Sequence, residues 1–289
     1  IDPSFSLETD HIFKIWRFNK TKTQDLIDRG IYKMEDLYHS DNLLDELNLK
    51  DRQFMQLEKM VTKSQEEFID KKLYKEMDQW QFPLHFIDFE TSIVSIPFHI
   101  NRSPYEQIAF QFSCHTLYED GRIVHHEWIE HRRGAFPNYE FVKALKKVVG
   151  EDNGTIFRYA THENSVLRQI RKQMLEESDT DFSDCIKWID MVTEHWVDGE
   201  KIKGENNMVD MLKLVKEYYY HPKMEGSNSI KSVLPAIFYS SAFIKDRYSS
   251  PVGFGKNLKD EVLWKYNKKE KTPFDPYKIL PATYLTIDA

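Results

Sequence analysis

The chain has 289 residues, of which 40% are hydrophobic and 30% are charged, a composition that can bury a core. Its net charge of −7 argues against bulk electrostatic adhesion to nucleic acid but leaves local basic patches possible. The two cysteines lack metal-ligand spacing, and neither a membrane-spanning apolar run nor a signal peptide is present, so we expect a cytoplasmic protein with no membrane partner.

The first 80 residues predict a small all-α region. A helix and a shorter second helix are separated by Gly30, which ends the first one. This pattern, over residues 23–37, resembles a helix-hairpin-helix unit that grips a nucleic-acid backbone, but a plain helical connector explains it at least as well. A long charged helix is predicted from Lys50 to Lys75. We therefore assign residues 1–80 as a helical connector.

From about Phe82 the sequence predicts alternating strands and amphipathic helices. The predicted strands are 84–91, 108–117, 123–129, 154–160 and 185–191. The predicted helices are 137–149, 164–175, 208–219 and 229–238. After about Ser240 the chain is predicted to be irregular. Three meandering strands followed by alternating helices and strands predict an α/β fold, with a mixed sheet flanked by helices.

The most informative stretch is the strand that begins at Leu84. Its residues Asp88 and Glu90 point to the same face, because side chains alternate along a strand. Two neighbouring carboxylates repel each other unless a cation lies between them or one is protonated. Mg²⁺ prefers such oxygen ligands. For an isolated pair, two solvated acids at a strand end would be the simpler explanation, so the wider sequence has to decide.

The stretch from Phe86 to Thr91 resembles the first motif of the DEDD (DnaQ-like) 3′→5′ exonucleases, which have the ribonuclease H-like fold. The wider sequence is similar to an uncharacterised bacterial branch of that superfamily, often fused behind a RecB-like nuclease domain. The segments that carry this similarity are 88–91, 96–97, 104–113, 226–235 and 275–281. The resemblance implies a ribonuclease H-like exonuclease domain over residues 81–289. It implies DNA or RNA as the partner, and fusion to or association with another nuclease domain.

The resemblance also implies four carboxylates that hold two Mg²⁺ or Mn²⁺ ions, roughly 4 Å apart in two-metal sites. Asp88 and Glu90 would be the first two, and Glu163, at the start of a predicted helix, the third. The helix dipole alone also explains an acid at the position of Glu163. Asp288 would be the fourth, at Tyr-x3-Asp spacing from Tyr284, although the sequence stops one residue later. We therefore expect the domain to be C-terminally incomplete and weak or inactive as a nuclease.

Further residues are predicted to bind substrate, namely Phe89, Thr91, Gln111, Ser229 and Lys231. Phe89 could stack on a terminal base, with core packing as the alternative. Ser229 and Lys231 open a predicted helix whose N-terminus could hold a phosphate, and helix capping explains Ser229 equally well. Asp190 ends the predicted fifth strand, where we interpret it as a turn acid and where metal contact is the alternative.

Two functions follow from these patterns. The first is a metal-dependent 3′→5′ exonuclease that hydrolyses the phosphodiester bonds of DNA or RNA by a two-metal mechanism. The second is a catalytically inactive nuclease-like module that binds nucleic acid or a partner protein within a larger multidomain protein. The three acids Asp88, Glu90 and Glu163 favour the first function. The lack of a fourth acid within a helix and the acidic net charge favour the second.

Overall fold

The computed structural model describes residues 10–177, 180–254, 258–269 and 272–279. They divide into two compact units, one drawn from Ile1–Asp70 and Val215–Ala289 and the other from Lys71–Leu214. This division differs from the predicted boundary after residue 80, because the segment that follows Val215 packs with the amino-terminal helices. None of the helices in these ranges combines the length and apolar character needed to cross a bilayer.

The secondary structure follows in chain order. The helices are α1 Lys20–Asp28, α2 Met34–Tyr38, α3 Asp41–Leu47, α4 Asp51–Val61, α5 Lys72–Met77, α6 Asn138–Val149, α7 His162–Glu176, α8 Ser183–Val192, α9 Met211–Tyr218, α10 Ile230–Ser240, α11 Ala242–Tyr248 and α12 Pro276–Ile279. The strands are β1 Phe68–Ile69, β2 Leu84–Ile93, β3 Gln107–Leu117, β4 Ile123–Ile129, β5 Thr155–Arg158, β6 Glu194–Val197, β7 Glu200–Lys203, β8 Val209–Asp210, β9 Tyr219–Tyr220, β10 Val252–Phe254, β11 Leu258–Glu261, β12 Tyr266–Asn267 and β13 Thr272–Pro273. Single 3-10 turns lie at Ile12–Lys14 and Pro222–Met224.

The first unit confirms the predicted helix–glycine–helix pattern. After α1, Gly30 adopts a φ of +78°, a conformation that glycine reaches at no steric cost, and the chain then enters α2. The buried apolar residues shared by the helices of this unit are Ile12, Ile15, Leu26, Met34, Leu37, Leu47 and Leu57. The amino- and carboxyl-terminal parts of the unit are joined by antiparallel pairing of β1 with β9.

The predicted long helix from Lys50 to Lys75 is wrong. Helix α4 ends at Val61, where the side chain of Thr62 donates a hydrogen bond to the carbonyl of Glu58. Lys63 then takes a φ of +55°, which turns the chain out of the helix.

The second unit is built on a five-stranded mixed sheet in the order β4-β3-β2-β5-β8. The strands β2, β3 and β4 form an antiparallel meander. The strands β5 and β8 then add in parallel, β5 beside β2 and β8 beside β5. Because β2, β5 and β8 all run in the same direction, their carboxyl ends lie at the same edge of the sheet.

Alternation along β2 decides which face of this sheet becomes the core. Ile87 and Phe89 are buried, whereas Asp88 and Glu90 are exposed on the opposite face. Helix α6 contacts β3 and β4, and α7 contacts β2 and β3. The aromatic centre of the resulting core is a cluster of Phe89, Phe112, Trp128 and Phe141.

Two predicted elements after β5 are wrong. Residues 185–191, predicted as the fifth strand, belong to α8, and the fifth strand of the sheet is the two-residue β8. The buried residues of α8 recur at helical spacing, namely Cys185, Trp188, Ile189 and Val192. The predicted irregular tail after Ser240 contains α11 and short strand pairs.

We expect Phe141→Ala to lower the free energy of unfolding by about 3–5 kcal/mol. The ring of Phe141 is fully buried and packs edge-on against Phe89 and Phe112, with centroids 4.8 and 5.5 Å away. Urea unfolding followed by circular dichroism measures the change. Tyr74→Ala, which truncates an exposed aromatic side chain of the same unit, should change the value by less than about 0.5 kcal/mol. Equal losses in the two variants would contradict this assignment of the core.

Candidate active site

The site begins with the exposed carboxylates of Asp88 and Glu90 on β2. Across the antiparallel pair, Asp88 lies opposite Ser113 and Glu90 lies opposite Gln111. Directly opposite residues of a sheet share a face, so the amide of Gln111 stands beside the carboxylate of Glu90. A register shift follows between Glu90 and Thr91, and such a shift re-aims the side chains beyond it.

The third acid, Glu163, comes from the connection that follows the neighbouring parallel strand. The chain leaves β5, passes Ala160 with a φ of +74°, and enters α7, where Glu163 is in the first turn. The preceding residue, His162, lies against the end of β2, with its Nε2 atom 3.4 Å from Thr91 Oγ1. This contact ties the start of α7 to the strand that carries Asp88 and Glu90.

Glu163 is an unusual acid because it is only 4% exposed. Its Oε2 atom has no hydrogen-bond partner among the described residues. Burial raises the pKa of Glu163 to about 7, against the lowering effect of its own backbone N–H. The nearby charges of Asp88 and Asp210 raise the pKa further, and that of Arg158 lowers it. The negative charge of Asp88 is therefore close enough to act on the Glu163 carboxyl.

Asp210 and Arg158 form an ionic cluster beneath this turn that the sequence analysis did not identify. The guanidinium of Arg158 donates to the Ala160 carbonyl and lies 3.3 Å from Asp210 Oδ2 and 3.2 Å from Glu194 Oε1. Asp210 Oδ1 accepts hydrogen bonds from the backbone N–H groups of Ala160, at 3.1 Å, and Leu212, at 3.0 Å. The carboxylate of Asp210 is thus engaged in holding the turn and capping the following helix.

The carboxylate oxygens of the site are ligands of the kind that a hard divalent cation prefers. Asp88 and Glu163 both offer carboxylate oxygens, and a bound cation would satisfy the buried Oε2 atom of Glu163. Glu90 extends from the same face of β2 as Asp88. Within the described ranges, however, no three or more His, Cys, Asp or Glu side chains are grouped so that they could hold a metal ion. In this part of the chain the charge of Asp88 thus acts on Glu163, but the two acids and Glu90 do not form a three-carboxylate group.

A family model described as a domain of unknown function, DUF2779, matches residues 85–229, which is half of the chain. The chain belongs to the DUF2779 family. The matched range includes all the acids described above, from Asp88 on β2 to Asp210 on β8. Comparison with curated proteins and with solved structures found no match in either set.

The structure places the predicted substrate-binding residues of this DUF2779 protein in different environments. Thr91 and Gln111 lie beside the acids, as the contacts above show. Phe89 is buried and packs edge-on against Phe141, so its ring is not available to stack on a base and the packing alternative applies. Ser229 caps α10, where its hydroxyl accepts a hydrogen bond from the N–H of Lys231. Ser229 and Lys231 belong to the first unit and the acids to the second.

Two further acids of the DUF2779 protein need separate mention. Asp190, predicted at a strand end, lies on α8 instead. There its carboxylate pairs with Arg168 at 2.5 Å and with Arg171 at 2.6 Å, so it links two helices and does not take part in the site. Asp288, the predicted fourth acid, lies outside the described residues.

Asp210 could have been found from the sequence by one signal. Met208 and Val209 are an apolar pair followed by an acid and then by a helix pattern. The prediction merged these residues with the helix because a two-residue strand is too short to show alternation.

The raised pKa of Glu163 predicts a pH-dependent stability. Below about pH 4.5, the ordinary value, the group is protonated in both the folded and the unfolded chain. As the pH rises towards about 7, the unfolded chain releases the proton while the folded protein keeps it, so the free energy of unfolding falls. Relative to the parent, Glu163→Gln should therefore gain about 2–3 kcal/mol between about pH 5 and about pH 8.

Urea unfolding in EDTA at these two pH values measures the difference. Glu90→Gln is the matched control, because it neutralises an exposed carboxylate on strand β2. The control should change stability by less than about 0.5 kcal/mol at either pH. The same difference for Glu163→Gln at both pH values would show that Glu163 is not held protonated near neutral pH.

Proposed function

We propose that this protein is a metal-dependent 3′→5′ exonuclease of the DEDD type that hydrolyses phosphodiester bonds of DNA or RNA. The observation that carries the proposal is Glu163, a buried carboxylate whose Oε2 atom lacks a hydrogen-bond partner among the described residues and which is coupled to Asp88. Buried carboxylates with strongly raised pKa values cluster at functional sites. A divalent cation is the simplest partner for such a pair.

The topology of the second unit supports a ribonuclease H-like fold. A three-stranded meander is followed by two strands that add in parallel beside its first strand. That is the element order implied by the resemblance of the β2 motif to the DEDD exonucleases. In that order the first and fourth strands are neighbours, as β2 and β5 are here, and their carboxyl ends lead to Asp88 and Glu163.

Asp88 and Glu163 would hold the Mg²⁺ or Mn²⁺ ion, with Glu90 as the adjacent carboxylate on the same strand face. When bound, such ions supply an activated water molecule and neutralise charge on the oxygen that leaves. Other residues of the chain would position the nucleotide and the acids. Gln111 offers an amide beside Glu90 for orienting a nucleotide. The contact between Thr91 and His162 keeps the start of α7 in place beside β2.

We expect Mn²⁺-dependent release of nucleotides from the free 3′ end of an oligonucleotide labelled at its 5′ end. Asp88→Asn should lower the rate at least about 100-fold, since it removes a negatively charged cation ligand while preserving the shape of the side chain. Product ladders on denaturing gels measure the rate. Glu127→Gln, an exposed acid on the same sheet face two strands away, should retain the parental rate. Metal-dependent hydrolysis at the parental rate by Asp88→Asn would refute the assignment of Asp88.

Cation binding can be measured without catalysis. We expect Mn²⁺ to raise the melting temperature of the parent protein above that in EDTA, because a ligand that binds only the folded state stabilises it. The increase should be lost in Glu163→Gln and kept in Glu127→Gln. It should also grow as the pH rises through about 7, because the ligand form of Glu163 is the ionised one. A full increase in Glu163→Gln would exclude Glu163 as a ligand.

The two assays together also separate the proposed enzyme from its alternative. A protein that binds an oligonucleotide and Mn²⁺ but releases no nucleotide would be a catalytically inactive nuclease-like module. That outcome would leave the cation site intact and overturn the proposed activity.

A further inference from the structure

The loop between β2 and β3, residues 94–106, displays an unusual set of side chains. Four of its apolar residues are between 70% and 91% exposed, namely Ile96, Phe98, Ile100 and Tyr105. Isolated exposed apolar residues are common on protein surfaces, but four large ones within ten residues of one loop favour a binding surface. We refer to this loop as the β2–β3 loop.

The β2–β3 loop is firmly anchored. The guanidinium of Arg102 contacts the Tyr139 hydroxyl at 2.9 Å and the Glu177 carboxylate at 2.6 Å, and it stacks 3.8 Å from the ring centroid of Phe136. His99 Nε2 lies 2.8 Å from the Ala135 carbonyl. Arg102 and His99 therefore attach the loop, while its large apolar side chains remain exposed.

The β2–β3 loop continues the strand that carries the candidate active site. Ile93, the last residue of β2, is three residues beyond Glu90, which corresponds to about 10 Å along a strand. A ligand that contacts both the loop and the acids must therefore be elongated. The segment against which the loop is anchored adds positive charge, because Arg133 is exposed and makes no ion pair among the described residues.

We propose that the β2–β3 loop binds the unpaired bases of a single-stranded nucleic acid whose 3′ end lies at Asp88 and Glu90. This inference rests on the proposed function, since it names the substrate class of the same site. The π-faces of Phe98 and Tyr105 match bases, which stack on aromatic side chains with little dependence on sequence. Arg133 complements the phosphate backbone. A duplex hides its base faces within the stack, so the loop selects strands that are already unpaired.

Anisotropy of fluorescein-labelled oligothymidylate and oligouridylate, measured in EDTA with the full chain, tests the inference. The variants are Phe98→Leu and Tyr105→Leu, which keep an apolar side chain but remove the π-face. Tyr74→Leu is the matched control, since Tyr74 is an exposed tyrosine of the same unit at 59% exposure. Each loop variant should weaken binding of a single strand at least about fivefold, and the control should not change it. A blunt duplex should compete poorly.

The outcomes separate this inference from the proposed function. Parental affinity in both loop variants, with Asp88-dependent hydrolysis retained, would overturn the inference alone. Loop-dependent binding of single strands without hydrolysis would support the inference and overturn the enzyme. A parent that binds no oligonucleotide, or a loop whose variants change only self-association by light scattering, would also overturn the inference. Binding of one of the two oligonucleotides alone supports the inference and identifies the strand as DNA or RNA.

Discussion

The buried guanidinium of Arg158 joins the carboxyl ends of the parallel strands β5 and β8. It is only 2% exposed and lies between the carboxylates of Asp210 and Glu194 while donating to the carbonyl of Ala160. A buried, positively charged side chain such as this guanidinium is tolerated only where opposite charges and hydrogen bonds compensate for its lost hydration. The strand β8 has only two residues, so the ion pair between Arg158 and Asp210 adds a second link to a short stretch of backbone pairing. Because Asp210 also accepts from the N–H of Ala160, the turn that presents Glu163 depends on the same cluster.

The cluster orders the turn but does not neutralise Glu163. Burial is the largest effect on that carboxyl, and the charges of Asp88 and Asp210 oppose the single favourable charge of Arg158. Without a cation, the group keeps its proton up to about pH 7. A metal ligand must be deprotonated, so the divalent ion that we propose at this position would have to replace a proton. The proposed cation would therefore compete with this proton for the carboxylate of Glu163, and the need to remove the proton would lower the metal affinity below about pH 7.

Much of this arrangement is visible in the sequence because it depends on local periodicity. The alternation around Asp88 and Glu90 predicts both the strand and the face on which the acids lie, and the helical pattern after β5 predicts the position of Glu163 at a helix start. The coupling of Asp88 to Glu163 needs parallel pairing of β2 and β5, which only the resemblance implied. The residues Arg158 and Asp210 were missed because their partnership is formed between strands 52 residues apart. Residues 185–191 were assigned to a strand because the apolar spacing within α8 was taken for alternation over too short a window.

The net negative charge of the protein opposes the binding of a polyanion such as nucleic acid. With a net charge of −7, and with acids at the candidate site, the long-range field repels nucleic acid at low salt. Binding must therefore come from contacts that act at short range. In the proposed complex, the exposed aromatic residues of the β2–β3 loop would supply stacking that does not depend on charge, and a bound cation would cancel the repulsion where the phosphate meets Asp88 and Glu163. The strand β2 carries both features, because its acids lie on the exposed face and its continuation forms the loop. The strand β2 thus leads directly from the acids at which the proposed cation would favour the approach of a phosphate to the loop that we propose binds the bases.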